Sequence, residues 1–284
     1  MIDGHRLNDL LYFIEQRELA RIHKEAGDPA PWCHDKIIQN YRFCNVDRQD
    51  DRVTKAIQTF YFYHPDRTLD TLWFNLAIAR VFNNPDCLYQ IGYITEWDMD
   101  HFISVLDERQ AKGLKLFNAA YMIHARTQGI PKHHYLAKDV FNVMWSRKAW
   151  APLKTEYLAI WASFYATFYG MGAFMRNQIV TDIRYSPYPG AGKKFLDWDE
   201  YVEAGPGSIK GLNYLHNRKQ GTPLSDVDAY NEIRELQSLL LNIPEMPGCF
   251  LDPNNVSNVM CEYSKFMRTK LGEGKPKQKY HQGA

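Results

Sequence analysis

Apolar residues recur at helical spacing along nearly the whole of this chain, and no segment shows the strict alternation of a half-buried strand. A chain patterned in this way must bury helix faces against one another, so the expected fold class is all-α. The periodicity predicts helices at about 6–25, 45–63, 68–82, 96–110, 135–148, 153–168, 173–184, 208–217, 225–241 and 255–270. Thr95, three residues before Asp98, reads as the start of a capping box, and Ser225 stands before an Asp-rich first turn. Breaks are expected at Pro65, at Asn84-Pro85, at Gly129-Ile-Pro131 and through SPYPGAGKK at 186–194.

The chain has 284 residues and no Pro/Ser linker or low-complexity stretch, so a single domain is expected over residues 1–271. The remaining residues, 272–284, combine Lys and His with Gly, Gln and Pro and read as a flexible basic tail. A formal charge of +1 excludes a uniformly basic DNA-coating protein but leaves room for a local basic face. The five cysteines are odd in number and contain no Cys-x-x-Cys pair, which argues against a disulfide framework and against a zinc site. His133-His134 has no Cys or carboxylate at ligand spacing and reads as a solvated pair. A reducing cytoplasm is the expected setting. The charged, amphipathic N-terminus lacks a signal-peptide core, and no apolar run approaches a membrane span.

Four polar, glycine-punctuated segments stand out from the aromatic helical background. In the first, YRFCNVDRQDDR at 41–52, a helix running from Asn45 to Phe60 would align Asn45, Arg48, Arg52 and Lys55 in one cationic stripe, with Asp51 at its border. Such a stripe can grip phosphate, with Asp51 orienting Arg48; it is equally an exposed helix carrying ordinary ion pairs. In the second, GMGAFMRNQIVTDIRY at 170–185, Gly170 and Gly172 open a turn between two helices. There backbone N–H groups and a helix N-terminus can approach a DNA phosphate. Phe174, Gln178 and Asp182 then follow at intervals of four: a ring to stack on a base, an amide for its edge and a carboxylate to move a proton. The bland alternative is a buried helix in which Asp182 pairs with Arg184 or Arg176.

The third segment, AGPGSIKGLN at 204–213, reads as an anion-binding turn opened by Gly205 and Gly207, with Ser208 capping the next helix and Lys210 in its first turn. A plain capped helix needs the same residues. The fourth, CEYSKFMR at 261–268, places Glu262, Lys265 and Arg268 on one helical face. Lys265 can neutralise a leaving phosphate or activate a nucleophile and Glu262 can deprotonate an amine, or the two form a surface salt bridge worth a few tenths of a kcal/mol.

Taken together and in this order, from about Arg21 to Lys275, these segments resemble the alpha-glutamyl/putrescinyl thymine pyrophosphorylases, the amino acid:DNA transferases. That group is related to the helical domain attached to 5-hydroxymethyluracil DNA kinases and distantly to helix-hairpin-helix DNA glycosylases. The matching strings are Asn-Val-x-Arg-x-x-Asp from Asn45, Gly-x-Gly-x-Phe from Gly170, Gly-Pro-Gly-Ser-x-x-Gly-Leu-Asn from Gly205, and Cys-Glu-x-x-Lys-[aromatic]-x-Arg from Cys261. Arg80 and Asn83, and Ala120 to Ile123, also sit at family-like positions; the latter read as core and Arg80 as a supporting or phosphate residue.

The resemblance implies a helix-hairpin-helix glycosylase-like single domain acting on double-stranded DNA with a flipped modified base. The implied reaction replaces the phosphate or pyrophosphate of a phosphorylated 5-hydroxymethyluracil with the amine of an amino acid, glycine being the specific choice, or of a polyamine. No metal or redox cofactor is required, the setting is an infected bacterial cell, and a separate 5-hydroxymethyluracil DNA kinase would supply the substrate. The catalytic set is then Asp182, Glu262, Lys265 and Asp51. Asn45, Arg48, Arg52, Gln178, Phe174 and Arg268 would bind substrate or phosphate. Gly170, Gly172, Gly205, Gly207, Ser208 and Lys210 would bind DNA. YPGAGKK lacks the Gly-x4-Gly-Lys-[Ser/Thr] spacing of a P-loop, a departure from the fused kinases. Two alternatives remain open at this stage: a glycosylase or lyase acting on a modified base, and a non-catalytic DNA-binding partner of such a kinase.

Overall fold

The computed structural model describes residues 2–118, 129–188, 190, 193–244, 246, 248–276 and 279. The expected core stretch Ala120 to Ile123 lies outside them. Among the described residues there is no strand, only an isolated bridge between Tyr41 and Lys279, and the fold is all-α as the periodicity requires.

In chain order the helices are α1 (Gly4–Glu25), α2 (Lys36–Asn40), α3 (Arg52–Ile57), α4 (Leu69–Phe82), α5 (Pro85–Ile91), α6 (Met99–Ala111) and α7 (Lys132–Tyr135). They continue with α8 (Asn142–Ser146), α9 (Leu158–Ala166), α10 (Ala173–Tyr185), α11 (Pro206–Leu215), α12 (Asp226–Leu241) and α13 (Pro253–Lys270). The chain divides into two compact units, one built from its two ends (1–51 with 202–284) and one from its middle (52–201).

In the terminal unit, Leu10, Phe13 and Ile14 of α1 bury against Tyr263 and Phe266 of α13, with the Phe13 and Phe266 rings 5.2 Å apart. Local chemistry sets the ends of these helices. Asp3 accepts from the His5 and Arg6 N–H groups at the start of α1, Ser225 accepts from Asp228 N at α12, and Asp252 accepts from Asn254 N ahead of Pro253 at α13. The expected box at Thr95 is corrected: Asp98 itself caps α6, accepting from His101 N at 2.9 Å.

α11 lies so close to α13 that its glycines are obligatory. A Cβ on Gly211 would come 2.6 Å from the Met260 carbonyl carbon, and one on Gly207 would strike the Cys261 sulfur. Residues expected in the tail lie against this unit as well. Glu273 N donates to Arg268 O at 2.8 Å, and the Tyr214 hydroxyl and the Gln220 amide donate to the Glu273 carboxylate.

In the central unit, α4 is buried on every side from Thr71 to Phe82, as a helix apolar all round must be. Trp73, Phe74, Phe82, Phe141, Trp161 and Tyr165 build the aromatic core around it. Asn83, in a left-handed conformation with φ 49°, ends α4. Pro85 then sits in the first turn of α5, so the expected break is also a helix start. α9 and α10 are joined through Gly170, whose φ of 81° suits glycine, and Gly172, which precedes α10 in extended backbone.

Candidate functional site

Three of the four polar segments, the first as far as Asp51, lie in the terminal unit. The first is not part of a continuous helix, which corrects the expected stripe of Asn45, Arg48, Arg52 and Lys55. Asp47 caps a single 3-10 turn, Arg48–Asp50, and Asp51 is extended with ψ 129° before α3 begins at Arg52. The short polar side chains here satisfy backbone groups locally and so compete with the helix. Asn45 donates to Asp50 O at 2.8 Å and accepts from Arg17, while Asp47 accepts from Gln49 N at 2.8 Å. Arg52 and Lys55 are exposed on α3 instead.

What holds this strap is one face of α13. Asn255 accepts from Arg48 N at 3.1 Å, Asn258 donates to Asn45 O at 3.3 Å, and Glu262 accepts from Cys44 N at 2.9 Å. Asn255 and Asn258 are not among the residues the sequence motifs point to. Their signal is nevertheless present in DPNNVSNV: amides at 255, 258 and a carboxylate at 262 share a helical face.

The same Glu262 oxygen that takes the Cys44 N–H also pairs with Lys265 Nζ at 2.5 Å. Glu262 is 4% exposed, whereas Lys265 is partly open to solvent and lies 5.8 Å from the centroid of the Phe43 ring. Burial works against the Lys265 charge, but Glu262 together with Cys44 and Cys261 outweighs it and raises the ammonium above its ordinary range. Lys265 is therefore a cation at neutral pH, suited to holding an anion and unsuited to being a free-amine nucleophile.

The two thiols beside it are not poised for attack either. The Glu262 charge pushes the thiol of the exposed Cys44 far up, and burial followed by Glu262 pushes Cys261 up to about 11. Lys265 and Lys210 act on Cys261 in the opposite sense, and α11, which carries the exposed Lys210, packs against Cys261 at Gly207. Arg268, one turn beyond Lys265, packs against Gly274 and donates to Lys275 O at 3.4 Å.

The third segment is corrected in two places. Gly205 occupies the position before α11, and Ser208 lies inside the first turn, buried, its hydroxyl 3.1 Å from Ser257 Oγ. Ser208 therefore joins α11 to α13 and does not cap. Gly207 likewise serves helix contact, through its missing Cβ, where an open anion-binding turn was expected. Lys210 and the N–H groups of the first turn, which no carbonyl of the helix itself can meet, are what this element can offer an anion.

The remaining segment, 170–185, lies in the central unit. Phe174, Gln178 and Asp182 do share one stripe of α10, but exposure falls along it, from 45% at Phe174 through a half-buried Gln178 to 1% at Asp182. Asp182 is turned into the core, where both its oxygens meet Arg80: NH2 donates to Oδ1 at 2.6 Å and Nε to Oδ2. Arg80 also reaches Thr54 Oγ1 at 3.1 Å and Asn83 Oδ1 at 3.3 Å. Arg80 is thus a partner of Asp182 that helical spacing does not suggest. A carboxylate fastened in this way is built to position rather than to meet an incoming amine. Gly172 and the exposed start of α10 remain at the surface, and a Cβ on Gly172 would meet open space.

A family model described as "5-hmdU DNA kinase, helical domain" matches residues 5–276. The chain belongs to this family. It is similar to the 5-hmdU DNA kinase of Bacillus phage SP10, being 25% identical over 295 aligned residues that cover 93% of this chain and 45% of that protein. The chain therefore spans about half the length of that relative. No solved structure matches it. Among the described residues no helix is long and apolar enough to cross a membrane.

Proposed function

We propose that this chain modifies 5-hydroxymethyluracil in phage DNA, and that it does so as an amino acid:DNA transferase. In this reading the nitrogen of an amino acid, glycine for preference, bonds to the 5-methylene carbon of a phosphorylated 5-hydroxymethyluracil. The carbon–oxygen bond to phosphate or pyrophosphate breaks, and the leaving group departs with the electron pair. The ammonium gives up a proton before its lone pair can attack, and the new secondary amine then binds or releases protons with solvent.

The observation that carries the proposal is the convergence of the 41–52, 204–213 and 261–268 segments on Lys265, Glu262 and Lys210. Lys265 pairs with the buried Glu262, and the exposed Lys210 adds positive charge on the neighbouring α11 for the departing phosphate. Glu262 orients Lys265 through their ion pair and anchors the strap through Cys44 N–H. With Asp182 engaged by Arg80, the proton of the incoming amine is assigned to Glu262 or to Asp51, the carboxylates of the terminal unit named by the family strings. Arg48 is a second candidate phosphate ligand, and the α10 start with Gly172 and Phe174 a candidate DNA contact. These 284 residues carry no P-loop, so phosphorylation of the base is assigned to a separate kinase activity.

One assay tests the reading. DNA carrying 5-phosphomethyluracil, as mono- or diphosphate, is incubated with the protein and candidate amines, then digested and its nucleosides weighed. The proposal requires a thymidine-like nucleoside heavier by the amine. Abasic sites would assign a glycosylase instead, and unchanged nucleosides with tight binding a DNA-binding module.

A further inference from the structure

The histidine pair that reads as solvated in the sequence is solvated only in part, at His134. His133 is 2% exposed, and both it and His134 turn their Nε2 edges onto one oxygen of Asp107, at 2.7 and 2.8 Å. Their rings stand at 77° to each other with centroids 4.6 Å apart, so two adjacent side chains reach the same point from different directions. The carboxylate comes from α6, twenty-six residues earlier, which is why no ligand spacing is visible along the sequence.

We infer that Asp107, His133 and His134 form a binding site for a single first-row divalent cation of the zinc type. Their donor atoms all lie within 4.8 Å of one another, the span one ion can bridge. Tetrahedral zinc holds nitrogen and oxygen at about 2.0–2.2 Å, which separates donors by about 3.4 Å. The present nitrogen–oxygen separations must open by roughly 0.6 Å for that. Asp107, with 49% of its side chain exposed, is free to move by this amount while the buried His133 stays fixed. Two imidazoles and one carboxylate select zinc, cobalt, iron or manganese over calcium and magnesium, which prefer an all-oxygen shell.

Three protein donors leave a position for water on the exposed side, and the half-open carboxylate gives the ion its way in. A surface aspartate already hydrated on one side has little need of two imidazole donors on a single oxygen, whereas an ion needs all three groups. Bound there, the ion would fasten the N-terminal turn of α7 to α6. The inference is independent of the proposed reaction, because it rests on none of the residues assigned to that chemistry.

The test uses the full chain, stripped with a chelator and dialysed, titrated with Zn2+ by calorimetry and with Co2+ by absorption. One ion per chain is expected, with visible Co2+ ligand-field bands and no near-ultraviolet thiolate charge-transfer band. His134→Ala and Asp107→Asn should each weaken binding by about tenfold or more, while melting in chelator stays that of a folded protein. Failure of the wild type to take up an ion at micromolar concentration would overturn the inference. So would unaltered affinity in both variants, or a thiolate band assigning the ion to cysteines.

Discussion

Two acid–base pairs, one in each unit, show what separates a structural ion pair from a usable one. Arg80 and Asp182 are each 1% exposed, bonded through two nitrogens and two oxygens, with Thr54 and Asn83 taking further guanidinium hydrogens. The two charges face each other inside the core, away from solvent. Glu262 and Lys265 are tied by one oxygen, Lys265 is partly open to solvent, and Lys210 adds a second cation nearby. Membership of a family-like string therefore does not by itself make a residue part of the chemistry. The charge balance and exposure of its partner decide.

The largest expected effect comes from breaking the sealed pair. Arg80→Ala or Asp182→Asn leaves a buried charge without its partner and should cost about 3–5 kcal/mol in urea unfolding, whereas replacing both with apolar residues of similar volume should recover most of the loss. If Asp182→Asn instead unfolded like wild type and only lost activity, Asp182 would return to the catalytic role read from its helical spacing.

A smaller effect tests what the glycines of the third segment are for. Gly211→Ala drives a methyl group into the Met260 backbone and should destabilise by about 1–3 kcal/mol. Gly172→Ala meets open space and should leave folding nearly untouched. Equal stability of the two variants would mean that α11 and α13 can part without cost.

The smallest expected effect is electrostatic. Lys210→Ala combined with Arg52→Ala should lower the slope of log affinity for duplex DNA against log salt by about 0.9 for each phosphate no longer neutralised. Filter binding across a salt series reads it. An unchanged slope would show that neither side chain contacts DNA phosphate.

What the sequence carried legibly was what local chemistry decides. Ser225 and the Asp residues after it placed α12 within one residue, and the apolar period of α10 and α13 placed those helices. The stretch after Asn45 misleads because apolar spacing continues while Asn45 and Asp47 are already bonding their own backbone. Ser208 looks like a cap because Gly and Pro precede it, yet Pro206 is itself the first helical residue. Pairings set by tertiary packing were beyond reach: Arg80 lies 102 positions from Asp182 and Cys44 lies 218 from Glu262, distances at which no periodicity operates.

The most direct test of the claim that the terminal unit holds the leaving phosphate is turnover by Lys265→Ala on DNA carrying 5-phosphomethyluracil, with DNA affinity measured in parallel. Loss of a cation that acts chiefly as the phosphate departs should raise the barrier by about 2–4 kcal/mol, slowing adduct formation by roughly 30- to 1,000-fold while affinity for the same DNA changes little. Adduct formation at the wild-type rate, by a variant shown to be folded, would contradict the account and remove the cluster of Lys265, Glu262 and Lys210 from the site of chemistry.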